Sequence, residues 1–141
     1  MKNLTLFADA GRRKTSAAWS YLIVNSNNDI IDKNGGLALG DITHNIVEYM
    51  SIIKGLEATL KLIPDSLIII SDSQVCIEQL KGNYKCKSSN LKPLYIKAKD
   101  LISRFKCPVN IEWKSRENEF IRKCDKLCNE VMDQYDIMDD K

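Results

Sequence analysis

Four acidic residues, Asp9, Glu48, Asp72 and Asp125, stand where carboxylates can do chemistry together. Asp9 closes residues 3–8 (Asn-Leu-Thr-Leu-Phe-Ala), a segment with the alternation of a strand. Glu48 falls in the first turn of a stretch in which Ile46, Tyr49, Met50, Ile53, Leu56, Leu60 and Ile63 recur at helical spacing. Asp72 follows Leu67-Ile68-Ile69-Ile70, an apolar run with the character of a strand buried on both faces. Asp125 lies early in a helix expected from Phe120 onward. In open sheets, ligands gather at the carboxyl ends of strands. Several carboxylates with few cations between them make a hard-oxygen site suited to Mg²⁺ or Mn²⁺. Two such ions can clamp the attacking water and the leaving oxygen of a phosphodiester. Singly, each residue has a plainer reading: Asp72 as a helix cap, Glu48 and Asp125 as solvated groups or complements to a helix dipole. The case rests on the coincidence of all four in one element order.

Around that first strand, residues 11–16 read as a turn. Residues 17–25 form a second strand, 26–29 a polar turn, and 30–39 a third strand that Asn34-Gly35-Gly36 can kink or bulge. Asp41, Thr43 and Asn45 are available as caps for the long helix, and Pro64 stops it. Ser71-Asp72-Ser73 can cap a short helix over 74–80. A polar, basic loop spans 81–90. A helix spans 91–105 with Pro93 in its first turn. A fifth strand spans 107–113, a loop 114–119, and a terminal helix 120–136. Trp19 and Trp113, both on strands, are expected in the core. The order β-β-β-α-β-α-α-β-α predicts one α/β domain over residues 1–135, built on a five-stranded mixed sheet with helices on both faces. Residues 136–141 are expected as a short frayed tail.

Within that order, five segments resemble the type 1 ribonucleases H, over about residues 3–132. Phe7-Ala8-Asp9-Ala10-Gly11 is similar to the family's strand ending in Asp-Gly. Thr43-His44-Asn45-Ile46-Val47-Glu48-Tyr49, followed by Gly55-Leu56-Glu57-Ala58, resembles its Thr-Asn-Asn-x-Ala-Glu-Tyr…Gly-Leu-Glu-Ala helix. Ser71-Asp72-Ser73-Gln74 with Gln79-Leu80-Lys81-Gly82 resembles its Asp-Ser-Gln…Gln-Leu-x-Gly. Asn90-Leu91-Lys92-Pro93-Leu94 and Cys124-Asp125-Lys126-Leu127-Cys128-Asn129 resemble Asn-Leu-Lys-Pro-Leu and Ala-Asp-x-Leu-Ala-Asn. The compact loop from Gly82 to Asn90 is similar to the branch lacking a long basic handle.

The resemblance implies a ribonuclease H-like fold and an endoribonuclease that cuts the RNA strand of RNA/DNA hybrids, leaving 5′-phosphate and 3′-hydroxyl ends. It implies two Mg²⁺ ions, with Mn²⁺ as a substitute, held by Asp9, Glu48, Asp72 and Asp125. Asp9 would bridge the ions, Glu48 and Asp72 would serve the leaving-group side, and Asp125 the ion that activates water. Thr43 matches a position that grips a DNA phosphate, and Asn45 one that reads the 2′-hydroxyl across a wide minor groove. Together with His44, Gly11, Arg12 and Lys85 these form the candidate substrate-binding set.

The chain departs from the family pattern at several places. Ala10 stands where Gly is usual, and His44, the chain's one histidine, replaces the first Asn of the pair. His44 reads as a minor-groove contact or as a surface residue at the helix start. Arg116-Glu117-Asn118 is a variant of a family loop, with a longer path to Asp125, so no role is carried onto it. Arg122 can draw down the Asp125 pKa or be solvated. Arg12-Arg13-Lys14 and Lys81, Lys85 and Lys87 are candidate contacts to a nucleic-acid backbone; Tyr84 packs on a deoxyribose or on its own loop.

Composition supports a single folded domain: 141 residues, 44% hydrophobic and 28% charged, net charge +2. Setting four clustered carboxylates aside leaves a mildly basic remainder. No apolar run is long enough to span a bilayer, and no export signal is evident, so the expectation is a cytoplasmic monomer with no membrane partner. The five cysteines are expected as reduced thiols, with Cys124 and Cys128 as small buried groups on one helix face rather than zinc ligands. Two other readings keep the fold: a non-catalytic hybrid-binding or polymerase-associated module, and a nuclease with another nucleic-acid substrate. The first predicts a lost carboxylate, whereas all four are present.

Overall fold

The computed structural model describes residues 1–139. Its sheet has the order β3-β2-β1-β4-β5. The strands are β1 (Asn3–Arg12), β2 (Ala17–Val24), β3 (Ile30–Leu37), β4 (Ser66–Ser71) and β5 (Val109–Trp113). The helices are α1 (His44–Leu60), α2 (Gln74–Lys81), α3 (Lys92–Ser103) and α4 (Glu119–Asp139). β1 to β3 form the antiparallel meander, while β1–β4 and β4–β5 pair in parallel. The element order and the mixed sheet agree with the sequence.

The central strand carries the alternation that builds two layers. Leu4, Leu6 and Ala8 of β1 join Tyr49, Ile52 and Leu56 of α1 and Leu101 of α3 in one core. Phe7 faces the opposite layer, where it packs with Phe120, Ile121 and Cys124 of α4. The helix starts are specified locally. The Thr43 hydroxyl accepts from Ile46 N (3.3 Å) at α1, and Ser73 accepts from Cys76 N (3.3 Å) at α2. Asn118 Oδ1 accepts from Phe120 N and Ile121 N at α4.

Several expectations are corrected. β1 continues to Arg12 instead of ending at Asp9, because residues 9–12 still pair with β2 after β4 has ended. The irregularity in the β2–β3 ladder falls at Ile23/Val24, not at Asn34-Gly35-Gly36. Trp113 is not core: it is 45% exposed at the end of an edge strand, with its indole N–H tied to the Asp72 carbonyl (3.0 Å). Trp19 is half-buried, stacked on Tyr21. The tail does not fray at 136. Asp136 accepts from Arg13 Nη1 and Thr15 Oγ1, each at 3.0 Å, and the helix runs on to Asp139. Residues 140 and 141, the rest of that expected tail, lie outside the described residues. Cys124 and Cys128 are fully buried, as expected, and all five cysteines are free. Burial pushes the Cys128 thiol up to about 12 and the Cys124 thiol well above its usual range, so both stay protonated.

Close approach of α1 to β1 depends on Gly55. A Cβ there would stand 2.5 Å from Leu6 Cδ1 and 3.0 Å from its Cδ2, and Leu6 is fully buried. Leu6 is packed in the core, so a larger residue at 55 must displace its side chain or push the helix outward, and Glu48 rides on that helix. Gly55→Val is expected to lower stability by about 1–3 kcal/mol, the usual cost of overpacking a closed core. Urea unfolding checks it; a loss below about 0.5 kcal/mol would show that the helix–strand spacing is soft.

Candidate metal centre

β4 pairs with β1 only as far as Ser71 opposite Ala8. The next residue on each strand, Asp72 and Asp9, therefore sits where the parallel ladder parts. α1 lies against this gap and brings Glu48 from its first two turns. Asp9, Glu48 and Asp72 each offer one carboxylate oxygen within 4.8 Å of the others. Asp9 is 4% exposed and Glu48 1% exposed, so two of the three have little water to screen them. Asp125 borders the same cavity from α4, which begins at Glu119 and so places Asp125 in its second turn. Its side chain is exposed and lies outside the tight cluster of three; its Oδ2 accepts from Asn129 Nδ2 (3.3 Å).

Burial is the first cause that drives the Asp9 carboxyl far above the ordinary range, followed by repulsion from Glu48 and then Asp72. Glu48 is raised by burial, against the pull of its hydrogen bond with His44. His44 Nε2 lies 3.0 Å from Glu48 Oε1, and that bond raises the imidazole pKa despite partial desolvation. The other oxygen, Glu48 Oε2, is sealed from solvent and has no hydrogen-bond partner among the described residues. A buried acceptor without a donor is costly. Glu48 also belongs to the trio with Asp9 and Asp72, and a divalent cation there would offset the charge of all three. The donor set is all oxygen, which suits Mg²⁺, Mn²⁺ or Ca²⁺ and not a soft metal.

The cavity, about 380 Å³, is also lined by Ala10, His44, Arg116, Glu117 and Arg122. His44 is thus more than a surface residue at a helix start. Arg116, to which the sequence assigned no role, faces the cluster closely enough to favour ionised Glu48. Asn118 caps α4 seven residues ahead of Asp125. A cationic residue in the loop that follows β5, the strand beside β4 and its Asp72 end, is the signal that could have found Arg116.

Of the candidate substrate-binding residues, His44 alone lines this cavity. Thr43 spends its hydroxyl oxygen on the α1 cap as an acceptor, which leaves its O–H free to donate. Asn45 is half-buried in the first turn of α1, and Lys85 is exposed after α2. Arg12 is exposed and donates from Nε to the Ile42 carbonyl (2.9 Å), bracing the segment before α1. Gly11 is a correction. It lies in β1 and not in a turn, buried, where a Cβ would meet Met132 Cε at 2.5 Å, so its lack of a side chain admits α4. Arg13 is another. It pairs with Asp133 (2.7 Å) and Asp136 (3.0 Å) and donates to Asn129 Oδ1 (3.1 Å), strapping the β1–β2 hairpin to α4.

The shifted groups give a pH dependence whose sign is fixed. Asp9 and Glu48 bind protons more tightly in the folded chain than in the unfolded one, so stability falls as pH rises from their unfolded pKa toward the folded one. His44 acts in the same sense: its stabilisation is complete below its ordinary pKa of 6.5 and is lost as pH rises through the raised value. The metal-free chain is expected to melt several degrees higher at about pH 5.5 than at about pH 8, and Mg²⁺ is expected to erase most of that difference. Melting curves in chelator and in excess Mg²⁺ check this; a flat metal-free profile would mean that the carboxylates do not share a site.

A family model described as reverse transcriptase-like matches residues 8–131. The chain is 30% identical over 128 residues to the bifunctional protein Rv2228c of Mycobacterium tuberculosis, covering 89% of this chain and 34% of that one, so it spans about a third of that relative's length. The structure of the N-terminal RNase H domain of Rv2228c superposes with a TM-score of 0.86, at 28% identity, covering 95% of this chain and 96% of that one. A ribonuclease H of Clostridium botulinum is 26% identical over 155 residues, with 97% of this chain and all of that one covered. LC11-RNase H1, solved in complex with an RNA/DNA hybrid, shares the fold at 22% identity with a TM-score of 0.83, covering 94% of this chain and 98% of that one. Sheet order, clustered carboxylates and these likenesses agree: the chain belongs to the reverse transcriptase-like family and is a ribonuclease H-like protein.

Proposed function

We propose that this chain is a metal-dependent endoribonuclease that hydrolyses the RNA strand of RNA/DNA hybrids and acts as a monomer. The observation that carries the reading is the trio Asp9, Glu48 and Asp72 with an unpartnered buried oxygen among them. Bound Mg²⁺ or Mn²⁺, as two ions, would supply an activated water and neutralise the phosphodiester oxygens. Asp9, Glu48 and Asp72 would hold these ions, with Asp125 completing the set from the cavity rim. The chain's relatives named ribonuclease H and the hybrid-bound LC11 structure favour this substrate over others on the same fold.

The surrounding residues then take definite parts. Without cations the carboxylates repel a phosphodiester, so substrate approach depends on charge brought to the wall. Arg116 and Arg122 stand on that wall and would orient the scissile phosphate toward the cluster. The free O–H of Thr43 would donate to a phosphate of the DNA strand, and Asn45 would read a 2′-hydroxyl beside it. Arg12 and Lys85 would add weaker contacts along the backbone. Hydrolysis in this arrangement leaves a 5′-phosphate and a 3′-hydroxyl.

A single gel tests the reading: labelled hybrid, duplex RNA, duplex DNA and single strands, each with and without Mg²⁺. Cleavage confined to the RNA of the hybrid and abolished by chelator is expected; comparable cutting of duplex DNA would overturn the substrate. Asp9→Asn separates the enzyme from a binding module. It removes charge where cations must sit close together, so hybrid cleavage is expected to fall by orders of magnitude. Without metal, Asp9→Asn is expected to melt at the wild-type temperature or above it, because one source of carboxylate repulsion is gone. Unchanged cleavage would remove Asp9 from the site, and a collapsed melting temperature would make it a structural residue.

A further inference from the structure

We propose that His44 is a positioning residue for Glu48: it holds one carboxylate oxygen so that the other is presented, fixed, to the metal site. The inference deepens the proposed function and rests on it. Three observations carry it. His44 Nε2 reaches Glu48 Oε1 at 3.0 Å across one helical turn. Glu48 Oε2 is buried, has no donor, and belongs to a side chain that contributes to the carboxylate trio. His44 itself borders the cavity and is more than half exposed, so the fold does not need its imidazole for packing.

The geometry explains why an anchor is useful here. A glutamate has one more rotatable bond than an aspartate, and Glu48 hangs from a helix while Asp9 hangs from a paired strand and Asp72 follows the end of its neighbour. Left alone, its carboxylate can turn about its last bond and offer either oxygen. A donor on Oε1 removes that freedom and leaves a single oxygen for the ion. Groups that hydrogen-bond to a ligating carboxylate typically govern metal affinity or activity by about 10–100-fold. An exposed donor such as His44 belongs at the lower end of that range.

The partner must come from four residues earlier on α1, the spacing at which helical side chains meet. An Asn at position 44 is too short to span that turn as the imidazole does. A Gln is long enough, and its terminal amide donates without a positive charge. The test therefore compares wild type, His44→Ala and His44→Gln as full chains. Mn²⁺ binding is measured by calorimetry in the absence of nucleic acid, and hybrid cleavage is resolved into kcat and KM.

His44→Ala is expected to bind Mn²⁺ about tenfold more weakly. Its kcat should fall with KM nearly unchanged, and His44→Gln should recover most of both losses. Unchanged or tighter Mn²⁺ binding by His44→Ala would overturn the proposal, since the imidazole would then compete with the ion for Glu48. A rise in KM alone would also overturn it and make His44 a substrate contact. Failure of Gln to rescue would assign the effect to something other than a donor on Oε1. Should wild type itself bind no Mn²⁺, the metal site falls and the proposed function with it; wild-type binding with insensitive variants removes His44 alone.

Discussion

Three carboxylates that converge within 4.8 Å at the parting of two strands repel one another, and the rest of the structure is organised to withstand that repulsion. Two like charges about 4 Å apart cost roughly 1 kcal/mol in water and about 4 kcal/mol under the screening typical of a protein surface. Asp9 and Glu48 are nearly sealed from solvent, so the screening is weak. The chain can meet this cost by protonating a carboxyl, by pairing it, or by binding a cation. The structure shows the pairing directly, in the 3.0 Å contact of His44 with Glu48; burial and repulsion favour the protonated form of Asp9, and the Glu48 oxygen without a donor is where a cation would act.

Holding such a cluster together requires elements that cannot drift. Asp9 stands on the strand at the centre of the sheet, paired on both sides up to Ala8 and on one side beyond it. Glu48 is fixed by a helix that packs on Leu6 through Gly55 and is tied at Tyr49, whose hydroxyl donates to Gln79 of α2 (2.5 Å). Asp72 is fixed by its own backbone, since its carbonyl takes the indole N–H of Trp113. α4 is secured differently. Ser20 Oγ donates to the Cys124 carbonyl (2.7 Å), and Arg13 clasps the far end of the helix. Asp125 thus comes from a well-anchored helix, yet on its exposed side. Three carboxylates are held by the packed elements around them, and the fourth, Asp125, stands on an exposed helix face at the cavity rim.

Much of this was legible in the sequence because it depends on local pattern. Alternation gave the strands, helical spacing gave α1, and of the caps open in the sequence (Asp41, Thr43 or Asn45; Ser71, Asp72 or Ser73) the structure uses Thr43 and Ser73. Asp9, Glu48 and Asp72 could be named because each follows a strand or opens a helix. What stayed hidden was tertiary. The length of β1 is set by a partner strand, and the exposure of Trp113 by its place on the edge. Arg13 looked like a nucleic-acid contact because its acidic partners, Asp133 and Asp136, lie more than a hundred residues away. Gly11 looked like a turn residue because nothing near it shows that α4 will lie across it. The His44–Glu48 pair was within reach, since a spacing of four on a helix brings side chains together.

The same comparison shows how little net charge says about this surface. A value of +2 averages over a surface that is locally polarised. The cavity holds Asp9, Glu48, Asp72, Glu117 and Asp125, while Arg116 and Arg122 stand on its wall. Arg12, Lys14 and Lys85 lie exposed outside it, and Arg13 is already neutralised by its acidic partners. A polyanion meets such a surface through its cationic residues, and the electrostatic field near a contact is set by the charges within a Debye length, about 8 Å at physiological salt. Acidic side chains outnumber arginines around the cavity, so its local charge is negative, while Arg12, Lys14 and Lys85 add positive charge elsewhere on the surface. A divalent cation at the carboxylates would therefore reduce the negative charge of that patch and leave the outer cationic residues unchanged.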